Sequence, residues 1–464
     1  MNLKILSTFT HHVHQKNAFV FVIIHLYSVV TCQDTQQNNS FSRPISSRAD
    51  GLLPALLTGR AQDVLASTLG TFFSSLDSCL VNRSPWNDPE LGSFAPDPKY
   101  CDARCLRNVF CCSPEKPDDL GVQFLFSSSI DPMTTKVMKY GDDESRKLFL
   151  NSNRTVVFIV HGFLNHYSYE TMWNQTRDGY LARGSDVVLV DWSRGNRLYI
   201  QSMANVRVVG ALTGQLIDFL DIPSRTLCVG FSLGSHVCGE AGSWLKRKRA
   251  SLVPVLSRCH GIDPAGPGFD GCSDDIRLDT SDCGVVTVIH SSQFVEMLGF
   301  GTRFKSGHCD FWMNDGRHQP DCSKNPPFSR IVRDTIWGNM GRVGETLENA
   351  VGCSHVRGMK YYISALFGFC NFLGVESKCG GGKKCLAIQD KRLPKKMSFT
   401  PASDLCERDA NIDYWVETTG HEPFCLDKRK KLVIKWFHSL KLMLMSRMCV
   451  YNELMWQLIN VAVN

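Results

Sequence analysis

One pentapeptide constrains this chain more than any other stretch: Gly230-Phe231-Ser232-Leu233-Gly234. It follows a short apolar run, and a helical pattern rich in small residues comes after it. Glycines two positions before and after a serine allow a strand and a helix to pass closely around a sharp turn. Such a turn, an elbow between strand and helix, presents the serine hydroxyl at the positive N-terminal end of the elbow helix. Because the chain contains 36 glycines, the pentapeptide alone also fits an ordinary glycine-rich turn.

Apolar stretches alternate with helical patterns on both sides of this pentapeptide. The runs at 122–126, 155–160 and 187–190 are predicted strands, and the apolar spacing over 206–220 predicts a helix. Continuous apolar strands that alternate with helices indicate an α/β fold, with a mostly parallel sheet covered on both faces. In such sheets the chemistry lies beyond the carboxyl ends of the strands. Four polar residues fall at those ends: His161, Asp191, Ser232 and Asp263.

Cysteine usage and the first residues indicate secretion. The 20 cysteines show no zinc-finger spacing and therefore predict disulfides formed in an oxidising compartment. A polar start precedes the apolar stretch 18–30, so residues 1–32 are a predicted signal peptide, with a signal anchor as the alternative. Sequons that fit an extracellular glycoprotein begin at Asn38, Asn82, Asn153 and Asn174.

The rest of the chain divides into three segments. Residues 33–78 are a predicted, partly disordered N-terminal extension, residues 79–427 form one predicted disulfide-stapled domain, and residues 428–464 are a basic and then apolar tail. Lysine and arginine interrupt the tail, which makes it a poor membrane span. A net charge of +6 without a basic, aromatic-interleaved stripe gives no reason to expect a nucleic-acid partner.

A reactive serine requires a base, and the base requires an acid that orients it. Asp263 follows the strand after the elbow helix, and His355 lies in a predicted loop further on, in the order serine, acid, histidine. Asp263 could instead cap a turn, and His355 could be a surface histidine. Two rival bases, His236 and His260, occupy predicted helix and strand positions that favour core histidines.

Five segments together resemble the pancreatic lipase family of secreted lipases: 161–163, 190–192, 230–236, 263–269 and 353–357. The resemblance implies an α/β-hydrolase fold and a triacylglycerol lipase that acts through an acyl-enzyme. It implies Ser232 as nucleophile, Asp263 as acid and His355 as base, with the amides of Phe163 and Leu233 as oxyanion donors. The pancreatic enzymes usually carry histidine at the position of Phe231, so a packing change is expected there, without loss of activity.

The acidic segment 274–282 follows. Closely spaced carboxylates suit an oxygen-preferring cation such as Ca²⁺, although the residues alone fit a solvated acidic turn better. The resemblance implies a structural calcium. Asp279 and Asp282 would supply carboxylates to it, and Asp274 and Arg277 would supply backbone carbonyls. Cys272 and Cys283 flank this loop and could clamp it. No organic cofactor is expected.

Cys322 and Cys353 bracket an apolar segment, 322–353, that resembles the family's lid, with a buried helix as the alternative. The resemblance implies a site that works at a lipid–water interface. The lid and the loop 291–307 are both long, which favours neutral acylglycerol. The residues after Cys425 do not predict a second β-sandwich domain, so colipase is not an expected partner. The alternatives are a phospholipase A1 with the same chemistry and a non-catalytic lipid-binding homologue.

Overall fold

The structure is a computed structural model that describes residues 86–94, 113–163, 167–196, 199–293, 300–322, 352–387, 396–399, 401 and 406–426. The strands are β1 Trp86–Asp88, β2 Gly92–Phe94, β3 Gln123–Ser128, β4 Asp131–Met138, β5 Val156–Val160, β6 Asp186–Asp191, β7 Thr226–Phe231, β8 Leu256–Ile262, β9 Cys283–His290, β10 Cys309–Met313, β11 Phe372–Lys378, β12 Leu386–Ala387, β13 Lys396–Phe399 and β14 Ile412–Val416. The helices are α1 Pro117–Leu120, α2 Asp143–Lys147, α3 Tyr167–Leu181, α4 Tyr199–Phe219, α5 Leu233–Lys248 and α6 Cys353–Leu366.

One large sheet organises the described domain. Its strand order is β12-β11-β14-β10-β9-β8-β7-β5-β6-β3-β4, and β13 pairs with β11 at one side. The strands from β14 to β6 run parallel to one another. Antiparallel strands extend the sheet on both sides, β3 and β4 beyond β6, and β11 to β13 beyond β14. The predicted α/β class and mostly parallel sheet are therefore confirmed.

Alternation along the central strands explains why they are apolar throughout. In β5, Val156, Phe158 and Val160 join the core on one side of the sheet, while Val157 and Ile159 join the core on the other side. Helices α4 and α5 contribute to the first core, and α3 and α6 contribute to the second. Because successive strand side chains point to opposite faces, a sheet covered on both faces needs apolar residues at every position.

Six disulfides link the described residues: Cys228–Cys238, Cys259–Cys283, Cys309–Cys406, Cys322–Cys353, Cys370–Cys425 and Cys379–Cys385. The expected clamp of the acidic loop by Cys272 and Cys283 is wrong, since Cys283 lies in β9 and bonds to Cys259 in the adjacent strand β8. The two cysteines are not register partners, since Cys283 lies opposite Leu256 and Cys259 opposite Val286, but their Cα atoms are 5.8 Å apart.

Several predicted segments lie outside the described residues. They are the signal peptide, the extension 33–78, the tail 428–464 and the part of the predicted lid between its two cysteines. Cys322 and Cys353 themselves are described and joined. Among the helices that the structure describes, none combines the length and the apolar character needed to span a membrane.

Candidate active site

The predicted elbow is present between β7 and α5. Ser232 has φ 56° and ψ −120°, a left-handed conformation that is costly for a residue with a side chain. Glycine is required on both sides of it, because a Cβ on Gly230 would collide with the Gly234 backbone and a Cβ on Gly234 with the Val160 carbonyl. The backbone amide of Ser232 donates to the Ile262 carbonyl at 3.0 Å, which ties the turn to the end of β8.

Asp263 lies directly after β8, at the same edge of the sheet. Its carboxylate is fully buried and its backbone is left-handed, with φ 43°. One oxygen accepts hydrogen bonds from the amides of Ser291 and Ser292 at 2.6 and 3.0 Å, and the other accepts from the Ser292 hydroxyl at 2.5 Å. Burial raises the pKa of Asp263, but the hydrogen bond and charge of His355, together with these donors, hold that pKa below its ordinary value.

His355 lies beside Asp263, with its Nδ1 atom 2.6 Å from the Asp263 Oδ2 atom. The prediction placed this histidine in a loop; it is instead in the first turn of α6, because the apolar residues after it recur at helical spacing. The Phe231 ring packs against the imidazole with centroids 4.6 Å apart, and the Phe300 ring does so at 5.5 Å. Phe231 therefore packs directly on the histidine.

These contacts place the imidazole next to the elbow, because Phe231 immediately precedes Ser232 in the chain. Ser232 and His355 are both nearly buried, with 5% and 7% of their surfaces exposed. No hydrogen bond joins Ser232 Oγ to His355 within the described part of the chain. Catalytic hydrogen bonds are often long in unliganded enzymes and shorten when substrate binds.

The two predicted oxyanion donors both lie near Ser232. Leu233 is the first residue of α5, and Phe163 follows β5 in a loop that approaches the elbow. A Cβ on Gly162 would lie only 2.7 Å from Ser232 Cβ, so the peptide before Phe163 passes against the serine. Neither the Leu233 nor the Phe163 amide donates to another described group. Two unpaired N–H groups near one hydroxyl suit a developing negative charge.

The acidic loop brings two of its four predicted ligands together. Asp279 and Asp282 are buried, and the amide of Asp279 donates to Asp282 Oδ2 at 3.0 Å. Burial raises the pKa of Asp279, and burial together with the Asp279 charge raises the pKa of Asp282 well above its ordinary value. The side chains of Asp274 and Arg277 pair with each other, so only their carbonyls are free to act as ligands.

One further observation indicates that this loop suits a hard cation. Asp279 Oδ2 is a buried oxygen without a hydrogen-bond partner among the described residues. Two adjacent buried carboxylates repel each other, and a cation would neutralise both. Within the described residues, no group of three or more histidine, cysteine, aspartate or glutamate residues is arranged for a metal. The donor set is therefore two carboxylates, which backbone carbonyls would have to complete.

The rival histidines occupy core positions, as expected. His236 is stacked on Phe269 with ring centroids 3.7 Å apart, and its Nε2 atom lies 2.9 Å from the Ala265 carbonyl oxygen. His260 Nδ1 lies 2.8 Å from the Tyr362 hydroxyl. The ring nitrogens of these histidines thus make buried contacts away from Ser232.

Sequence reasoning missed the residues that support the site. Ser291 and Ser292 directly follow β9, at the edge that also holds Ser232 and Asp263, so the rule about carboxyl ends of strands could have found them. Asn196 was also missed; it is buried, and its amide nitrogen lies 2.6 Å from the Gly162 carbonyl oxygen. No sequence motif marks Asn196, because its role depends on a contact between distant segments.

The parallel sheet, the strained serine between strand and helix, and the acid and histidine that follow it in chain order define an α/β-hydrolase. A family model described as Lipase matches residues 91–424. The chain therefore belongs to the lipase family.

Curated relatives agree with this assignment. The chain is 31% identical over 294 residues to inactive pancreatic lipase-related protein 1 of Homo sapiens. This match covers 61% of this chain and 60% of that protein. It is 33% identical to pancreatic lipase-related protein 2 of Rattus norvegicus, over 66% of this chain and 64% of the relative. It is 29% identical to pancreatic triacylglycerol lipase of Equus caballus, over 66% of this chain and 65% of the relative. The match thus spans less than two thirds of each relative's length.

Proposed function

We propose that this protein is a secreted serine esterase that hydrolyses acylglycerol esters, with triacylglycerol as its substrate. The observation that carries the proposal is the 2.6 Å hydrogen bond between His355 and the buried Asp263, beside the strained Ser232. This bond engages Nδ1 and leaves Nε2 as the base. A buried carboxylate that keeps its charge stabilises the imidazolium that forms when the base takes a proton.

In the proposed reaction, Ser232 Oγ attacks the ester carbonyl and its proton passes to His355 Nε2. The tetrahedral oxyanion accepts hydrogen bonds from the Leu233 and Phe163 amides. Collapse of this intermediate breaks the bond to the alcohol oxygen, which takes the proton from His355 and leaves an acyl-enzyme. Water then attacks the acyl carbonyl and gives its proton to His355. Collapse of the second intermediate breaks the bond to Ser232 Oγ, which takes the proton back from His355, and the fatty acid is released. The hydrogen bond from Ser232 to His355 forms when substrate is bound.

A structural Ca²⁺ belongs to the proposal but takes no part in these steps. The carboxylates of Asp279 and Asp282, with the carbonyls of Asp274 and Arg277, would hold it. When bound, the ion supplies positive charge that stabilises the folded loop. Asp282 also accepts a hydrogen bond from Ser243 in α5 at 2.6 Å, so the loop is connected to the helix that begins at the elbow.

The choice of acylglycerol over phospholipid is supported by one relative, whose name is pancreatic triacylglycerol lipase. The long segment between Cys322 and Cys353, proposed as a lid, supports the same substrate and an action at the lipid–water interface. Another relative is named as inactive, so membership of the family does not by itself show that a protein is active. The case for catalysis therefore depends on the contacts of Ser232, Asp263 and His355.

Secretion is supported by the disulfides and by one sequon. Six bridges join the described residues, which fits an oxidising compartment. Asn153 is exposed just before the amino end of β5, whereas the proposed site lies at the carboxyl ends of the strands. A glycan on Asn153 would therefore not obstruct access to Ser232.

The test compares the secreted protein with Ser232→Ala on a long-chain triacylglycerol emulsion and on phosphatidylcholine vesicles. Ser364→Ala is the matched control, because Ser364 is another buried serine, whose hydroxyl donates only to the Pro423 carbonyl in the described structure. We expect emulsion hydrolysis by the parent and the control, and none by Ser232→Ala. Equal rates in parent and Ser232→Ala would refute catalysis by this serine. Faster hydrolysis of vesicles than of emulsion would favour phospholipase A1, and an inactive parent would favour a non-catalytic lipid-binding protein.

A further inference from the structure

We propose that Asn196 is a positioning residue for the oxyanion site, which it orients through the peptide bond between Gly162 and Phe163. The inference rests on the proposed function, because it concerns the amide of Phe163 as an oxyanion donor. Asn196 itself does not touch the reacting atoms. It lies in the loop after β6, and its side chain reaches across to the loop after β5.

The geometry of the peptide unit connects these groups. Gly162 C=O and Phe163 N–H belong to one trans peptide, so they point in opposite directions in one plane. Asn196 Nδ2 lies 2.6 Å from the Gly162 oxygen, and His161 Nδ1 lies 2.8 Å from the same oxygen. Two donors on this oxygen fix the plane of the peptide. They also polarise it, so that the Phe163 N–H carries more positive charge.

The proton positions follow from the acceptor. A carbonyl oxygen can only accept, so His161 Nδ1 must carry a proton and the Asn196 amide must present its NH₂ group. The opposite Asn196 rotamer would bring two oxygens within 2.6 Å of each other, which is repulsive. His161 is held in this orientation by the Trp173 and Trp192 rings, with centroids 4.6 and 5.3 Å from its own.

The same peptide lies close to the nucleophile. Gly162 approaches Ser232, and the Phe163 N–H donates to no described group, so this N–H is available to an oxyanion that forms beside the serine. An oxyanion forms there only as the ester carbonyl becomes tetrahedral. A donor whose direction is fixed beforehand stabilises that charge without having to reorient.

Asn196 is poorly explained as a stabilising residue. It is 3% exposed, and its Oδ1 atom has no hydrogen-bond partner among the described residues. A buried polar atom without a partner costs stability, so a purely structural asparagine would be expected to satisfy both ends of its amide. Its amide nitrogen is 2.6 Å from the Gly162 oxygen and 3.3 Å from His161 Nδ1, so the shorter of its two side-chain contacts is the one to the peptide of the oxyanion donor.

The experiment compares the parent with Asn196→Ala, Asn196→Asp and Asn205→Ala. Asn205 is the matched control, because it is a fully buried asparagine whose Nδ2 donates to the Gly195 carbonyl at 2.8 Å and not to Gly162. Two reactions are followed, hydrolysis of soluble p-nitrophenyl butyrate and modification by a p-nitrophenyl alkylphosphonate. In the second, Ser232 Oγ bonds to phosphorus, p-nitrophenolate leaves, the serine proton goes to His355, and the phosphoryl oxygen occupies the oxyanion position.

For Asn196→Ala we expect kcat and the phosphonylation rate to fall together by about tenfold, with KM changed by less than about twofold, because the oxyanion exists only in the transition state. Asn196→Asp keeps the size of the side chain but cannot donate a hydrogen bond, so both rates should fall further in this variant. Should Asn196→Ala not fold, Asn196→Asp gives the same test. Asn205→Ala should lower the melting temperature and leave both rates at the parent level.

The inference would be overturned if both Asn196 variants kept the kcat and phosphonylation rate of the parent. A change in KM alone, or an equal fall of both rates in Asn205→Ala, would also overturn it. A parent that is active, together with an inactive Ser232→Ala and an active Asn196→Asp, would refute the role of Asn196 alone. A parent that neither hydrolyses the ester nor reacts with the phosphonate would overturn the proposed function and this inference together.

Discussion

The replacement Asp270→Asn should change how stability depends on pH. Asp270 lies in the loop after Asp263, and its side chain is 6% exposed. Its carboxylate accepts a hydrogen bond from the Thr302 hydroxyl at 2.5 Å and lies 3.6 Å from the Arg303 Nε atom. Burial raises the pKa of this carboxyl from 3.8 to about 6, and the hydrogen bonds of Thr302 and Arg303 only partly oppose the rise. Between pH 3.8 and about 6, the folded protein therefore holds a proton on Asp270 that the unfolded chain has already lost.

The sign follows from that extra proton. Because the folded state binds more protons at Asp270, the contribution of this carboxyl to stability falls as pH rises from 3.8 to about 6. A pKa difference of about 2 corresponds to about 3 kcal/mol of unfolding free energy. Asp270→Asn lacks the titrating group, so the parent should lose about 3 kcal/mol relative to this variant between about pH 3.5 and about pH 6.5.

Urea unfolding with the disulfides intact, carried out on both proteins over this pH range, measures the effect. Contributions from all other titrating groups are common to both proteins and cancel in the difference. The hydrogen-bond change caused by the substitution adds a constant offset and does not alter the slope. A difference in unfolding free energy that stays constant across the range would refute the reasoning.

Three further predictions concern the site and its supports. Ser292→Ala removes a hydroxyl that lowers the Asp263 pKa, and kcat/KM on a soluble ester should fall by about tenfold, the equivalent of one hydrogen bond to a charged group; parent kinetics would contradict this. Gly234→Ala drives a methyl group against the Val160 carbonyl and should lower the unfolding free energy by about 1–3 kcal/mol in urea, so an unchanged midpoint would count against the elbow packing. Removal of Ca²⁺ with EGTA should lower the melting temperature of the parent, and added Ca²⁺ should restore it, because Asp279 and Asp282 are left as adjacent buried carboxylates; Asp282→Asn should abolish the response, and identical melting with and without EGTA would argue against the ion.

Local patterns predicted the centre of the fold well. The elbow depends on a short apolar run and two glycines, and the strand ends follow from the same kind of local signal. The predicted strand at 187–190 is observed at Asp186–Asp191, and the helix expected over 206–220 extends over Tyr199–Phe219. Its first seven residues, about two turns, were missed because Tyr199, Gln201 and Ser202 interrupt the apolar spacing.

Contacts between distant segments were harder to predict. Strand position and chain order made Asp263 and His355 candidates, but only the resemblance favoured them over the alternatives, since no spacing connects residues 92 positions apart. The pairing of Cys259 with Cys283 joins residues of two adjacent strands that are not opposite each other in the register, and hydrophobic periodicity does not specify such a contact. The same is true of Asn196, whose partner belongs to a different loop.

The bridges Cys228–Cys238 and Cys259–Cys283 have a consequence for making this protein. All four sulfurs belong to residues with no exposed surface, and Cys228 lies opposite Cys259 in adjacent strands. Once the sheet has closed over them, neither an oxidant nor an isomerase can reach them, so both bonds must form while the chain is still open. In a reducing bacterial cytosol, separate thiols would have to share a space shaped for bonded pairs. Recombinant production should therefore yield native protein only where oxidation accompanies collapse.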